Sequence, residues 1–174
     1  MSLLAFWALE TDFGQVQGDF NTLNSLMTLS HDCRRPELFQ PQVFSALELF
    51  RRGDFDPRGT TGAWAGEIGM VQMLPGDIIE YGRDGDGDGH VQLKNSVADA
   101  LMSGAAMLRG TVYGLLLEER LMTRFGRGWF RSEAARDDLR EIWDAEPGQT
   151  AESMAASLDL GTIDAAPMLD RCRP

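Results

Sequence analysis

The chain has 174 residues, 43% of them hydrophobic, which is enough for one domain with a real core or one domain plus a small appendage. Its 27 acidic and 16 basic residues give a net charge of -11, which argues against a protein that tracks a nucleic-acid backbone. Two cysteines, Cys33 and Cys172, are too few for a disulfide scaffold, and whether they pair is left open. No apolar run reads as long enough to span a bilayer, and no signal peptide is visible. The chain begins inside what reads as a buried helix, which is typical of a fragment.

The first predicted element is an almost wholly apolar helix over residues 3–13, ended by Gly14 in a left-handed cap. A helix that is apolar on every side is expected to be buried. Its acid, Glu10, should then have its pKa raised by desolvation, as a general acid working near neutral pH requires. The alternative is that Glu10 lies where the helix reaches solvent and has no function.

Helical spacing of apolar residues predicts further helices over residues 22–30, 77–81 and 96–125. Another helix is expected to begin after Pro41 and to bury one stripe: Phe39, Val43, Phe44, Leu47 and Phe50. In the tail, Ser132, Thr150 and Asp164 are plausible N-caps of three short helices. Their inward-facing side chains are predicted to be Leu139, Ile142, Trp143, Met154, Leu158, Met168 and Leu169. No segment alternates as a strand does, so the sequence predicts an all-α fold.

Two loops carry the remaining chemistry. Residues 62–75 place several glycines beside apolar residues, which indicates a backbone packed closely against a neighbour or a ligand. Residues 84–89 alternate Asp with Gly, like the first half of an EF-hand loop. Asp84, Asp86 and Asp88 would be ligands, the carbonyl of His90 would follow, and Asp99 would replace the absent final Glu. A solvated acidic turn is the alternative, but three close carboxylates repel one another unless a cation joins them, so we favour calcium.

These segments together resemble the catalytic core of lytic murein transglycosylases of the B type, over about residues 4–109. The resemblance rests on blocks in the family's order: Glu10-Thr11-Asp12-Phe13-Gly14, the Leu-rich residues 22–30, Arg34-Arg35-Pro36, the Gly62–Pro75 block with Gln72, and the acidic loop. Ala63 stands where family members often carry Ser. Beyond residue 110, the family's further glycan-binding half is not recognisable.

The resemblance implies a lysozyme-like fold and cleavage of the bond between N-acetylmuramic acid and N-acetylglucosamine without water, leaving a 1,6-anhydromuramyl end. It implies that Glu10 is the sole acid and base, that Gln72 binds the sugar, and that the backbone of Gly66 and Gly69 lines the glycan groove. It assigns Arg34 and Arg35 to stem-peptide carboxylates, and it implies a location in the periplasm or cell envelope.

We therefore expect an incomplete transglycosylase core over residues 1–110 and a helical tail of unknown role over residues 111–174. The expected cofactor is a structural calcium ion, with no organic cofactor, and the expected partner is peptidoglycan. The alternative function is a non-catalytic, calcium-stabilised helical module that binds glycan or has a structural role.

Overall fold

The computed structural model describes residues 3–32, 34–143 and 150–164 of the chain. These residues form two compact units, residues 1–107 and 108–174. The predicted boundary at residue 110 stays a prediction. Both cysteines, the helix expected after Asp164, and the side chains of Trp143, Met168 and Leu169 lie outside the described parts.

The described chain is mostly helical. Its helices are α1 (Leu3–Thr11), α2 (Thr22–His31), α3 (Pro36–Arg52), α4 (Pro75–Tyr81), α5 (Val97–Phe125), α6 (Glu133–Trp143) and α7 (Ala151–Ser157), with a 3₁₀ turn at Trp129–Arg131. The expectation of a purely α-helical chain is wrong in one detail. Strands β1 (Phe20–Asn21) and β2 (Thr61–Gly62) pair antiparallel, with Phe20 opposite Gly62. Strands of two residues are too short for their side-chain alternation to show in a sequence.

The core of the first unit lies between α2, α3, α4 and the glycine-rich segment. Its most buried apolar side chains include Leu26, Leu49, Val71, Met73 and Leu93. The glycine-rich segment therefore supplies core residues although it is not helical. The predicted close packing of its glycines is confirmed: at Gly69, with φ of 80°, a side chain would begin 2.5 Å from Leu93.

Helix α1 is not buried as predicted. Phe6 and Trp7 pack against the core, but Leu4, Leu9 and Phe13 are at least half exposed and only Thr11 is buried. The reason is geometric, because a helix that contacts a core on one side leaves its other apolar faces open. The helix also ends at Thr11, two residues earlier than predicted, where Asp12, Phe13 and Gly14 all take positive φ values.

Helix α3 begins at Pro36 rather than after Pro41, because a proline at the first helical position needs no donor. Pro41 lies inside the helix. The predicted buried stripe of this helix is confirmed for only some of its residues. Phe39 is buried and Val43 packs on the core, together with Ala46 and Leu49. Three predicted members of the stripe are instead largely exposed: Phe44, Leu47 and Phe50.

Helix α5 was predicted as one long helix, and it is. By length and composition it passes the criterion for a membrane span, although the sequence had suggested no such run. A core helix can pass the same criterion, and in the first unit Ala100 and Ser103 of α5 are buried.

The second unit confirms two predicted caps. The hydroxyl of Ser132 accepts a hydrogen bond from the N–H of Ala135 at 3.3 Å. The hydroxyl of Thr150 accepts one from the N–H of Ser153 at 3.2 Å. Leu139, Ile142, Met154 and Leu158 are half-buried, in line with the predicted inward face. An ion pair between Arg109 and Glu152 links α5 to α7 within this unit.

Candidate active site

Glu10 lies in the last turn of α1 and is exposed. The part of its carboxyl group that rests against the protein loses water, and this desolvation raises its pKa above the usual 4.5. Repulsion from the carboxylate of Glu67 raises the pKa further. The predicted direction and the predicted cause are both confirmed, although the helix that carries Glu10 is open to solvent.

Thr11, the neighbour of Glu10, fixes this turn to the glycine-rich segment. Its buried hydroxyl donates to the carbonyl of Met70 at 2.7 Å and accepts the N–H of Gly14 at 2.9 Å. Gly14 has a φ of 85°, which glycine adopts without strain, and a Cβ there would lie 3.1 Å from the Met70 side chain. Thr11 is not among the residues predicted for the site, although a hydroxyl in an otherwise apolar helix could have indicated it.

Gln72 lies on the same segment and takes a positive φ of 48°. Its Nε2 donates to the carbonyl of Gly69 at 2.8 Å and to that of Gln17 at 3.3 Å. Gln17 continues this network by donating to the carbonyls of Gly14 and Lys94. Gln72 therefore joins the segment to the turn after α1.

At positions 66 and 69, both the backbone conformation and the closeness of neighbouring atoms require glycine: Gly66 and Gly69. Both have positive φ, which glycine adopts without strain. A Cβ at Gly66 would lie 2.4 Å from the Leu26 side chain. Larger residues at these positions would displace the segment that carries Glu67 and Gln72.

Arg34 and Arg35 line a cavity of about 350 Å³ that is also lined by Leu29, Asp32, Phe39 and Trp64. The guanidinium of Arg34 is held by Asp32 at 2.6 Å, and its hydrogen bonds hold the pKa of Asp32 below the usual value. Trp64 belongs to the glycine-rich segment, so the arginines are near that segment in space. Glu10 does not line this cavity.

The acidic loop brings together carboxylate oxygens of Asp84, Asp86 and Asp99, which lie within 4.8 Å of one another. Asp99 is fully buried on α5 and accepts the N–H groups of Gly85 and Gln92 at 2.8 and 2.7 Å. Oxygen ligands in this arrangement suit calcium. Asp99, the more distant ligand predicted for the loop, therefore lies beside Asp84 and Asp86.

The Asp88 carboxylate and the His90 ring do not belong to that converging set, although the predicted ligand of His90 is its backbone carbonyl. Asp88 Oδ1 accepts the N–H of His90 at 2.8 Å, and His90 Nδ1 lies 2.9 Å from Asp54 Oδ1. Asp54 raises the pKa of His90 through this contact. Asp54 could not be predicted from a local pattern, because His90 is 36 residues away in the sequence. A role for Asp88 and His90 as metal ligands stays a prediction.

Residues 1–115 match the Transglycosylase SLT domain family. This match covers more than half of the chain. The chain belongs to this family. It is 37% identical over 98 residues to the membrane-bound lytic murein transglycosylase B of Escherichia coli K12, covering 56% of this chain and 27% of that protein.

Solved structures of lytic transglycosylases also resemble this chain. SltB3 of Pseudomonas aeruginosa, in complex with NAG-anhNAM-pentapeptide, superposes with a TM-score of 0.60 at 36% identity over 63% of this chain and 29% of its own. The Escherichia coli lytic transglycosylase Slt35, in complex with calcium, gives 0.59 at 32% identity over 63% and 35%. The chain thus spans about a third or less of the length of these relatives.

Proposed function

We propose that this chain is the core of a lytic transglycosylase that cleaves the glycan strand of peptidoglycan, with Glu10 as its acid and base. The observation that carries the proposal is the raised pKa of Glu10 in a turn tied by Thr11 to the glycine-rich segment. A raised pKa keeps a fraction of this carboxyl group protonated closer to neutral pH, where a general acid must work. Membership of the Transglycosylase SLT domain family supports the same assignment.

The chemistry needs one carboxyl group that works twice. Glu10 donates its proton to the glycosidic oxygen as the bond from that oxygen to C1 of N-acetylmuramic acid breaks. As a carboxylate, it then takes the proton of the C6 hydroxyl while the C6 oxygen bonds to C1. The product is a 1,6-anhydro ring, and Glu10 ends protonated, ready for another cycle. The substrate's own N-acetyl group would stabilise the developing cation, as in substrate-assisted glycosidases.

Other residues would bind the substrate. Gln72 and the backbone of Gly66 and Gly69 would line the glycan groove, since all three belong to the segment that contacts the turn after α1. Arg34 and Arg35 would bind carboxylates of the stem peptide in their cavity, where guanidinium groups suit bidentate pairing. Asp32 accepts from Nε and Nη2 of Arg34, which leaves Nη1 for a carboxylate ligand.

Calcium would be held by Asp84, Asp86 and Asp99 as a structural ion, joining the acidic loop to the start of α5. The solved calcium complex of Slt35 supports this choice of metal. Since the Escherichia coli relative is named for its action on murein, we propose a location in the periplasm or cell envelope.

The second candidate function is a non-catalytic, calcium-stabilised module that binds glycan or has a structural role. The exposure of Glu10, Leu9 and Phe13 favours it, because an acid open to water is poorly shielded for catalysis. Incubation with purified peptidoglycan, followed by mass spectrometry of the soluble products, separates the two. We expect anhydromuropeptides from the wild type and none from Glu10→Gln. Equal product from both proteins, or no product from the wild type, would overturn the enzymatic proposal.

A further inference from the structure

The side-chain amide of Gln72 is held by two hydrogen bonds within the protein. Its Nε2 carries two N–H groups, and it donates to the carbonyl of Gly69 at 2.8 Å and to that of Gln17 at 3.3 Å. Gln72 also keeps a left-handed φ of 48°, which a residue with a side chain seldom adopts. Both N–H groups of this amide are therefore engaged before any ligand arrives.

These two partners decide which way the Gln72 amide points. Both are backbone carbonyl oxygens, which accept hydrogen bonds and cannot donate them. Turning the amide over would place its Oε1 against two oxygens with no hydrogen atom between them. Oε1 is therefore the polar atom of this side chain that is left for a ligand, and a carbonyl oxygen of this kind can only accept.

The side chain of Gln17 fixes the carbonyl that Gln72 uses. Gln17 is half-buried, and its Nε2 donates to the carbonyl of Gly14 at 2.9 Å and to that of Lys94 at 3.2 Å. The first bond closes the turn after α1, and the second ties this turn to the residues that follow the acidic loop. Because both bonds start from one side chain, the backbone of Gln17 is held against two separate segments.

The neighbours of Gln17 are held as well. Gly18 has a φ of 83°, and a Cβ there would lie 2.2 Å from the carbonyl oxygen of Gly62 in β2. The ammonium group of Lys94 donates to the carbonyl and hydroxyl oxygens of Thr61 at 2.7 and 2.9 Å. The carbonyl of Gln17 therefore has a defined position relative to the glycine-rich segment.

The other end of the Gln17 amide argues against a role in packing alone. Its Oε1 is buried and has no hydrogen-bond partner among the described residues. A buried acceptor without a donor is unfavourable. An apolar side chain of the same length would fill this place without that cost, so the two N–H donations are what a glutamine adds here.

We propose that Gln17 is a positioning residue for Gln72, and that it holds the Gln72 amide so that Oε1 accepts a hydrogen bond from a donor on the sugar, a hydroxyl or an acetamido N–H. Gln17 itself need not touch the substrate. An acceptor fixed in this way favours a ligand with a donor at that point, because a ligand without one leaves the acceptor unpaired. The statement about the sugar rests on the proposed function, whereas the arrangement of the two amides does not.

Side-chain amide exchange, followed by NMR on protein labelled with ¹⁵N-glutamine, tests the arrangement without any turnover. Gln72→Met and Gln15→Met assign two of the signals by their loss. We expect the Gln72 amide to exchange with solvent roughly tenfold or more slowly than that of the exposed Gln15. Gln17→Met, which keeps the length of the side chain but has no donor, should reduce this protection. Equally fast exchange of Gln72 and Gln15 in the wild type would overturn the proposal, even if Gln17→Met does not fold.

The kinetics of anhydromuropeptide release from soluble glycan strands test whether Gln17 acts through Gln72. Gln17→Met should lower kcat/KM roughly three- to tenfold, as expected for one misplaced hydrogen bond, and mainly by raising KM. Gln15→Met, the same change at an exposed neighbour, should leave both constants unchanged.

The double variant Gln17→Met/Gln72→Met decides between coupling and independent effects. If Gln17 acts through Gln72, the double variant should be no less active than Gln72→Met alone. Losses that multiply would overturn the proposal. If the wild type releases no anhydromuropeptides, the proposed function fails, while amide exchange still decides whether Gln17 positions Gln72.

Discussion

The hydroxyl of Thr11 donates a buried 2.7 Å hydrogen bond to the carbonyl of Met70, 59 residues further along the chain. The bond connects the end of α1 to the glycine-rich segment, so it relates Glu10 to Glu67 and Gln72. Since Thr11 is 1% exposed, its hydroxyl has no water to replace this partner. The geometry of the candidate site therefore depends on one side chain that does no chemistry itself.

Replacing Thr11 by Val should lower the free energy of unfolding by about 1–3 kcal/mol, because the Met70 carbonyl and the Gly14 N–H each lose their partner. Chemical denaturation measures the change. Thr11→Ser is the matched control, since it keeps the hydroxyl and should release anhydromuropeptides as the wild type does. Similar stability of Thr11→Val and wild type would show that this bond does not hold the site together.

Glu10→Gln should raise the melting temperature at pH 7. The folded-state pKa of Glu10 lies above its unfolded value, so the ionised group destabilises the folded state once the pH rises through that range. Below pH 4.5 the carboxyl group is neutral in both states, and the gain should disappear. Melting curves at pH 7 and pH 3.5 check the sign. A gain of the same size at both pH values would contradict the electrostatic origin.

Gly69→Ala and Gly87→Ala separate strain from steric clash, because both glycines have a φ of 80°. At Gly69 the new methyl group would lie 2.5 Å from Leu93, whereas nothing lies within 4 Å at Gly87. We expect Gly87→Ala to cost about 1–2 kcal/mol from backbone strain, and Gly69→Ala about 2–5 kcal/mol from strain plus overpacking. Denaturant unfolding in the presence of EDTA measures both without the influence of a metal. Equal losses would mean that the Leu93 contact relaxes freely.

Calcium should raise the melting temperature, and EDTA should reverse the effect. At a calcium concentration 100-fold above the Kd, stabilisation is about 2.7 kcal/mol. Asp99→Asn should abolish the calcium-dependent shift, whereas Asp88→Asn should keep part of it, since Asp88 lies outside the converging set. Asp19→Asn, an exposed change elsewhere, serves as control. A melting temperature that ignores calcium and EDTA in the wild type would remove the metal assignment.

Melting of the Asp99→Asn variant in calcium has to be compared with melting of the same variant in EDTA. The Asp99 carboxylate accepts two backbone N–H groups, so the variant should be less stable than the wild type even in EDTA. The calcium assignment therefore depends on the difference between the two melting curves of each variant. A shift in Asp99→Asn as large as in the wild type would place the ion elsewhere.

The elements that the sequence predicted well are those with local causes. Helices α2, α4 and α5 and the N-caps Ser132 and Thr150 follow from side chains within a few residues of each other. The alternating carboxylates of residues 84–88 likewise indicate a cation loop without any tertiary information. Its predicted distant ligand, Asp99, also lies beside Asp84 and Asp86, because α5 starts next to the loop.

The sequence by itself indicated the candidate acid, since Glu10 ends an apolar run of residues and begins a motif that resembles the catalytic motif of lytic transglycosylases. Only the tertiary structure decided how that helix packs, because an all-apolar sequence does not specify which face contacts the core. It likewise decided that Glu67 would act on Glu10 and that Asp54 would pair with His90. Both relationships join residues 36 or more positions apart, and such contacts depend on the packing of the whole unit rather than on any local pattern.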